Sequence, residues 1–294
     1  MSNSYGKPQP SKKDRREEAR EKARNMRIEE QKRKKRNSIL VRSGIGVGVL
    51  AVAAIVALVI VNSTAPAAAG PLNMASDGIL LTGDGTSVTA VETTAVPADA
   101  TPDPTDQTKL TDTANIVTYV DYLCPYCGDF EKANAQQITD WVTAGNATLE
   151  VHPLSILDSN SAGSKYSTRA ANAAACVANY DPDNFLAVNT ALFANQPQEG
   201  TTGLTNKQLV SLVEEAGVTD AAVAKCINDQ EFSTWVAGAT DRALAGPIPN
   251  SDITNVTGTP TVLVNGVAYK GSLTDATAFA SFVAEQVAAT AGAE

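Results

Sequence analysis

Hydrophobic and polar positions divide the chain into three regimes. Residues 1–42 are dominated by charge, with Glu18/Lys22, Glu29/Arg33 and Glu30/Lys34 at the i,i+4 spacing of a solvated, partly helical tail. Ser43 to Val61 is a 19-residue run with no charge and almost no polarity. Further on, the apolar positions fall into short alternating or helical-period groups, the pattern of a folded domain.

Within that last regime, Ile79-Leu80-Leu81 and Val88-Thr89-Ala90-Val91, separated by Gly83-Asp84-Gly85, predict a small hairpin. Asn62 to Gly70 reads as a short Ala/Pro linker, and Pro97 to Thr113, rich in Asp, Thr and Pro, as a surface loop. Ile116 to Val120 is a β-type run that leads into a helix from Cys127 to about Ala144, with Phe130, Ile138, Trp141 and Val142 directed to a core. Thr148 to Val151 is the following strand. Joined to the first by one helix, it is expected parallel to it through a right-handed crossover.

Residues 162–245 turn helical, in pieces Ala162 to Asn179, Asp183 to Ala194, Asn206 to Ala216 and Asp220 to Ala245. Thr205 and Thr219 are N-cap candidates and Gly217 a stop. Strand signals resume at Thr261 to Val264 and Val267 to Lys270, on either side of Asn265-Gly266, a type I′ turn signal. A last amphipathic helix, Asp275 to about Thr290, presents Phe279, Phe282 and Val283 on one face, and Trp141 and Trp235 read as core.

Charge changes the picture most at the N-terminus. Residues 1–42 hold 15 Lys or Arg against 6 Asp or Glu, whereas the remainder holds 8 against 26. So acidic a remainder argues against nucleic acid as a partner, because phosphate contacts need clustered Lys and Arg. As a helix the apolar run covers about 28 Å, close to a bilayer's hydrocarbon core. With basic residues before it and acidic chain after it, the run is expected to cross once, N-terminus in the cytoplasm and the domain outside the cell membrane. A cleaved signal peptide is the alternative, since Ala65-Pro66-Ala67 has the small-x-small form of a cleavage site. Either route delivers the domain to an oxidising compartment.

The chemistry is in the cysteines. Cys124-Pro125-Tyr126-Cys127 stands where a strand passes into a helix. The first thiol meets unpaired N–H groups and the positive end of the helix dipole, which favour a thiolate. Cys124 is therefore the expected nucleophile and Cys127 the resolving thiol. Zinc is disfavoured because Cys176, Cys226 and His152 lack the paired spacing of a zinc module. A purely structural bridge across so short a loop would restrict the unfolded chain little. For Cys176 and Cys226, 50 residues apart in predicted helices, a structural disulfide is favoured by loop length and compartment. A second redox-active pair and two separately buried thiols are the alternatives.

The order of elements, with Asp121-Tyr122-Leu123-Cys124-Pro125-Tyr126-Cys127, Phe130, Gly258-Thr259-Pro260-Thr261 and Asn265-Gly266, resembles the DsbA-like thiol:disulfide oxidoreductases over residues 114–290. The resemblance implies an α/β thioredoxin-like fold with an inserted helical subdomain, here preceded by a single transmembrane helix. The boundaries expected are a basic cytoplasmic tail at 1–42, the membrane helix at 43–61, linker and hairpin at 62–113, the first half of the fold at 114–155, the insertion at 156–250 and the second half at 251–294.

It further implies a cis Pro260 facing the cysteine pair and a Thr259 whose backbone bonds an extended substrate. Tyr126 and Tyr122, flanking the pair, are candidates for an apolar docking surface, or for plain packing. Neither a cofactor nor a metal is implied. The partners implied are exported proteins with free thiols and a membrane redox partner that reoxidises the cysteines. Within the same fold the rivals are an isomerase or a reductase; outside catalysis, a peptide-binding or chaperone module. Two departures stand out. Thr118 occupies the position where many relatives carry a buried acid, leaving Asp121 or water as substitutes for proton transfer. His152 is the sole histidine, so a His-assisted nucleophile is not expected, and the oxidising potential should be less extreme.

Overall fold

The computed structural model describes residues 69–291 apart from 108, 109, 111 and 112. The basic tail and the apolar run at 43–61 lie outside the described residues, among which no helix is long and apolar enough to cross a membrane.

Among the described residues six strands form one mixed sheet. Along the chain they are β1 (Ile79–Gly83), β2 (Val88–Ala90), β3 (Ala114–Val120), β4 (Ala147–Pro153), β5 (Thr261–Val264) and β6 (Val267–Ala268), in spatial order β2-β1-β4-β3-β5-β6. β3 and β4 pair in parallel, Ile116 against Leu149 and Thr118 against Val151, and every other pair is antiparallel. All residues of β3 and β4 are buried. Being covered on both faces, they read as near-continuous apolar runs, not as alternation. The turn Asn265-Gly266 has positive φ at both residues, 47° and 80°, which a type I′ turn requires and which Asn and Gly tolerate best.

The strands β3 and β4 are joined by α1 (Pro125–Thr143), whose Phe130, Ile138 and Val142 pack on Ile116, Val120 and Leu149. The C-terminal helix α7 (Ala276–Ala291) adds Phe279, fully buried, with ring contacts to Phe130 at 5.2 Å and Tyr269 at 5.1 Å. On the other side of the sheet Val117, Tyr119 and Leu263 form a second, smaller core with Leu154, Ala243, Ile248 and Val256. There the Tyr119 ring stacks on His152 at 4.4 Å, and His152 is bonded to Glu150 at 3.1 Å.

Between β4 and β5 lies the helical insertion: α2 (Tyr166–Tyr180), α3 (Phe185–Ala194), α4 (Asn206–Glu215), α5 (Ala221–Asp229) and α6 (Ser233–Ala245). Thr205 caps α4 in a complete capping box with Gln208. Two expectations are corrected here. The stretch 220–245 is two helices, not one, because Gln230 takes a left-handed conformation (φ 54°) and ends α5. The cap of α5 is Asp220, whose carboxylate accepts from Ala222 N at 2.8 Å, and not Thr219. A disulfide joins Cys176 on α2 to Cys226 on α5, with both residues fully buried.

Candidate active site

Cys124 is the N-cap of α1 and Pro125 its first helical residue. Proline suits that position because its φ is already helical and its missing N–H would find no partner there. The Cys124 side chain makes no capping bond, and no acidic residue occupies the first turn. The helix terminus is thus left free to act on the sulfur.

Facing it is the loop before β5. The Thr259–Pro260 peptide is cis, and the Thr259 carbonyl accepts a hydrogen bond from the Cys124 thiol at 3.1 Å. Thr259 and Pro260 are half-buried, beside a Cys124 that is itself almost covered. The two sulfurs are unequal. A hydrogen bond from the Cys127 thiol lowers Cys124 from the usual 9.0 to about 6; the Thr259 side chain and the N–H groups of Cys127 and Tyr126 add to this against burial. Cys127 moves the other way, pushed well up by burial and by its neighbour Cys124. Such a pair supplies an anionic nucleophile at neutral pH and a second thiol that stays protonated until a base removes its proton.

The flanking tyrosines separate. Tyr126 is 65% exposed and free to meet a partner. Tyr122 is fully buried, its ring 4.9 Å from Phe193 and its hydroxyl donating to Asn189 Oδ1 at 2.9 Å, so it belongs to the core and not to a docking surface.

Asp121 does not stand in for the missing acid at Thr118. Both its oxygens are taken, by Leu123 N and Leu157 N, each at 2.9 Å, and these bonds tie the active-site turn to the start of the insertion. The acid beside the cysteines is Glu131. It lies four residues after Cys127 on the same face of α1 and lines with Cys127, Thr118 and Asn189 a small cavity of about 20 Å³, room for one water. Burial pushes its carboxyl up to about 7, although Asn189 Nδ2 donates to it at 3.0 Å. The i,i+4 spacing from Cys127 is the signal that points to Glu131 in the sequence. A second overlooked residue, Gln196, reaches the active-site turn from beyond α3, and its segment, Asn195-Gln196-Pro197-Gln198, reads only as surface.

Two thiols of opposed acidity, stacked under a cis-proline loop, make a device for exchanging disulfides. The thioredoxin family model matches residues 111–283, more than half of the chain. A disulfide bond oxidoreductase (DsbG) from Mycobacterium tuberculosis in its reduced form is 30% identical, with TM-score 0.53, over 74% of this chain and 93% of that one. Oxidised DsbA of the same organism is 31% identical, with TM-score 0.53, over 71% and 92%. BdbD from Bacillus subtilis shares the fold at 18% identity and TM-score 0.51, over 76% and 99%. The chain belongs to the thioredoxin family, among its DsbA-like thiol-disulfide oxidoreductases. A stretch of 146 residues is also 32% identical to the serine/threonine-protein kinase PknE of Mycobacterium tuberculosis, 48% of this chain but only 25% of the kinase's length.

Proposed function

We propose that the protein introduces disulfides into exported proteins from the outer face of a membrane, held there by the apolar run at 43–61. The observation that carries the oxidising direction is the enhanced acidity of Cys124, whose pKa is lowered to about 6, beside a Cys127 whose pKa is raised by burial. A stabilised thiolate favours the reduced pair and so drives disulfide transfer outward to clients. The buried Cys176–Cys226 bridge fits an oxidising compartment.

A client thiolate attacks Cys124 Sγ of the oxidised pair, the Cys124–Cys127 bond breaks, and Cys127 leaves as a thiolate. Glu131, protonated at neutral pH in part, gives Cys127 a proton through the single water that their shared cavity can hold. The client's second thiolate then attacks its own sulfur in the mixed disulfide. Cys124 leaves as the stabilised thiolate, the client is oxidised, and the pair has gained two electrons. A membrane-bound acceptor of disulfide or quinone class restores the pair.

The same acidity supports a second reading. The direction of the shift supports oxidation, but its size, a value of about 6, lies nearer thioredoxin's ≈ 7 than DsbA's ≈ 3.5, so a reductase or isomerase of the same fold is the alternative. Equilibration with glutathione separates them: we expect a potential between about −120 and −200 mV, whereas one near about −270 mV means reduction. In cells, Cys127→Ser should accumulate mixed disulfides between Cys124 and exported proteins, and an empty trap would count against oxidation of such clients.

A further inference from the structure

One side chain of the helical insertion touches the active-site turn without entering the exchange chemistry. Gln196 follows the C-cap of α3, and its Nε2 donates to Tyr122 O at 3.1 Å and to Cys124 O at 2.9 Å. A single NH₂ group thus spends both hydrogens on the carbonyls either side of Leu123. The Cys124 carbonyl also accepts from Cys127 N at 3.0 Å and Gly128 N at 3.2 Å. The amide therefore ends on the peptide group from which α1 starts.

Gly128 makes the room. A Cβ there would stand 2.5 Å from Gln196 Oε1, far inside contact distance. Gly128 is not among the glycines with positive φ, so its backbone does not call for glycine, and inside a helix glycine is destabilising relative to alanine. The approach of Gln196 is the feature that explains it.

We infer that Gln196 is a positioning residue for Cys124: it latches the active-site turn to the helical insertion and keeps the first-turn N–H groups of α1 aimed at the sulfur. The inference rests on the disulfide-exchange reading above. Donors stabilise a thiolate only while their directions are fixed. With these two bonds exchanged for water, the turn is held only by the Asp121 bonds and the first-turn helix bonds, its N–H groups are less sharply aimed, the thiolate is less favoured, and the pair becomes a weaker oxidant. No charge moves in the process. The ionisable group acting on Cys124 is Cys127, Asp121 is bound to Leu123 and Leu157, and Glu131 is bound to Asn189.

Two substitutions break the latch from opposite sides. Gln196→Met keeps the length and removes the donors; Gly128→Ala keeps the glutamine and fills its place. The wild-type full chain, both single variants and the double variant are equilibrated with glutathione, and the Cys124 thiolate is titrated by its ultraviolet absorbance. Each single change should weaken the oxidising equilibrium roughly fivefold, the worth of one hydrogen bond, and raise the titration midpoint. The double should fall no further, since one interaction is removed twice. Unchanged equilibria in both singles, or effects that add in the double, overturn the latch. Should Gln196→Met fail to fold, Gly128→Ala decides alone, because alanine suits the helix. A wild-type protein that exchanges no disulfides would instead sink the functional reading.

Discussion

Glu131→Gln should stabilise the fold and slow its chemistry. The carboxyl is pushed up to about 7 from the usual 4.5, with burial as the main cause. Below about pH 4.5 it is protonated in folded and unfolded chains alike and makes no difference to stability. Between the two values the unfolded chain releases its proton while the folded chain keeps it, so stability falls as pH rises. Above about 7 the folded carboxyl ionises as well and the loss levels off.

At about 1.4 kcal/mol per pH unit, the full penalty is about 3 kcal/mol. Glutamine has nearly the same shape, still offers Asn189 an oxygen, and never ionises. The variant should therefore match wild type near pH 4 and exceed it by about 2–3 kcal/mol at pH 8. In urea that is a midpoint higher by about 1 M for a protein of this size. The assay is denaturant unfolding of the reduced protein at several pH values, paired with stopped-flow oxidation of a dithiol peptide. The exchange step that releases Cys127 should slow by about 10². A stability gain that does not vary with pH would refute the burial of the carboxyl as the cause of its raised pKa. The expected gain with unchanged exchange would refute only its proton-carrying role.

The bridge and the core give two further predictions. Replacing Cys176 and Cys226 together by alanine opens a loop with a sequence separation of 50 and should cost about 4 kcal/mol in chemical denaturation. Disulfide exchange at Cys124 should persist wherever the variant is folded, and its loss there would make the pair an electron relay. Phe279→Ala empties a fully buried ring site against Phe130 and Tyr269 and should cost about 3–5 kcal/mol in the same measurement.

The sheet, the cysteine helix and the closing hairpin were legible in the sequence because local chemistry and tertiary packing agree there. β-branched runs sit in the central strands, Pro125 opens α1, and Asn265-Gly266 takes the two left-handed conformations its turn needs. Elsewhere they diverge. The break at Gln230 carries no glycine or proline, and it follows directly on α5, the helix that the Cys226 disulfide fixes to α2. Tyr122 looks like a surface aromatic beside a reactive pair, but Asn189, 67 positions away, draws its hydroxyl into the core. Gln196 shows no pattern at all, since its two acceptors are backbone carbonyls more than 70 positions earlier. Non-local polar contacts of this kind leave no periodicity to read.

The sulfur of Cys124 and the carbonyl that meets it are 135 positions apart along the chain, with the whole insertion threaded between them. A polypeptide emerging from a ribosome or a translocation pore presents both thiols of the pair long before Thr259 has been synthesised. Both cysteines of the insertion's own bridge also arrive before that loop does. A product that ends short of Gly258 keeps every sulfur atom and lacks the loop that closes over two of them. Maturation of the reactive centre is therefore deferred to the final stretch of biosynthesis.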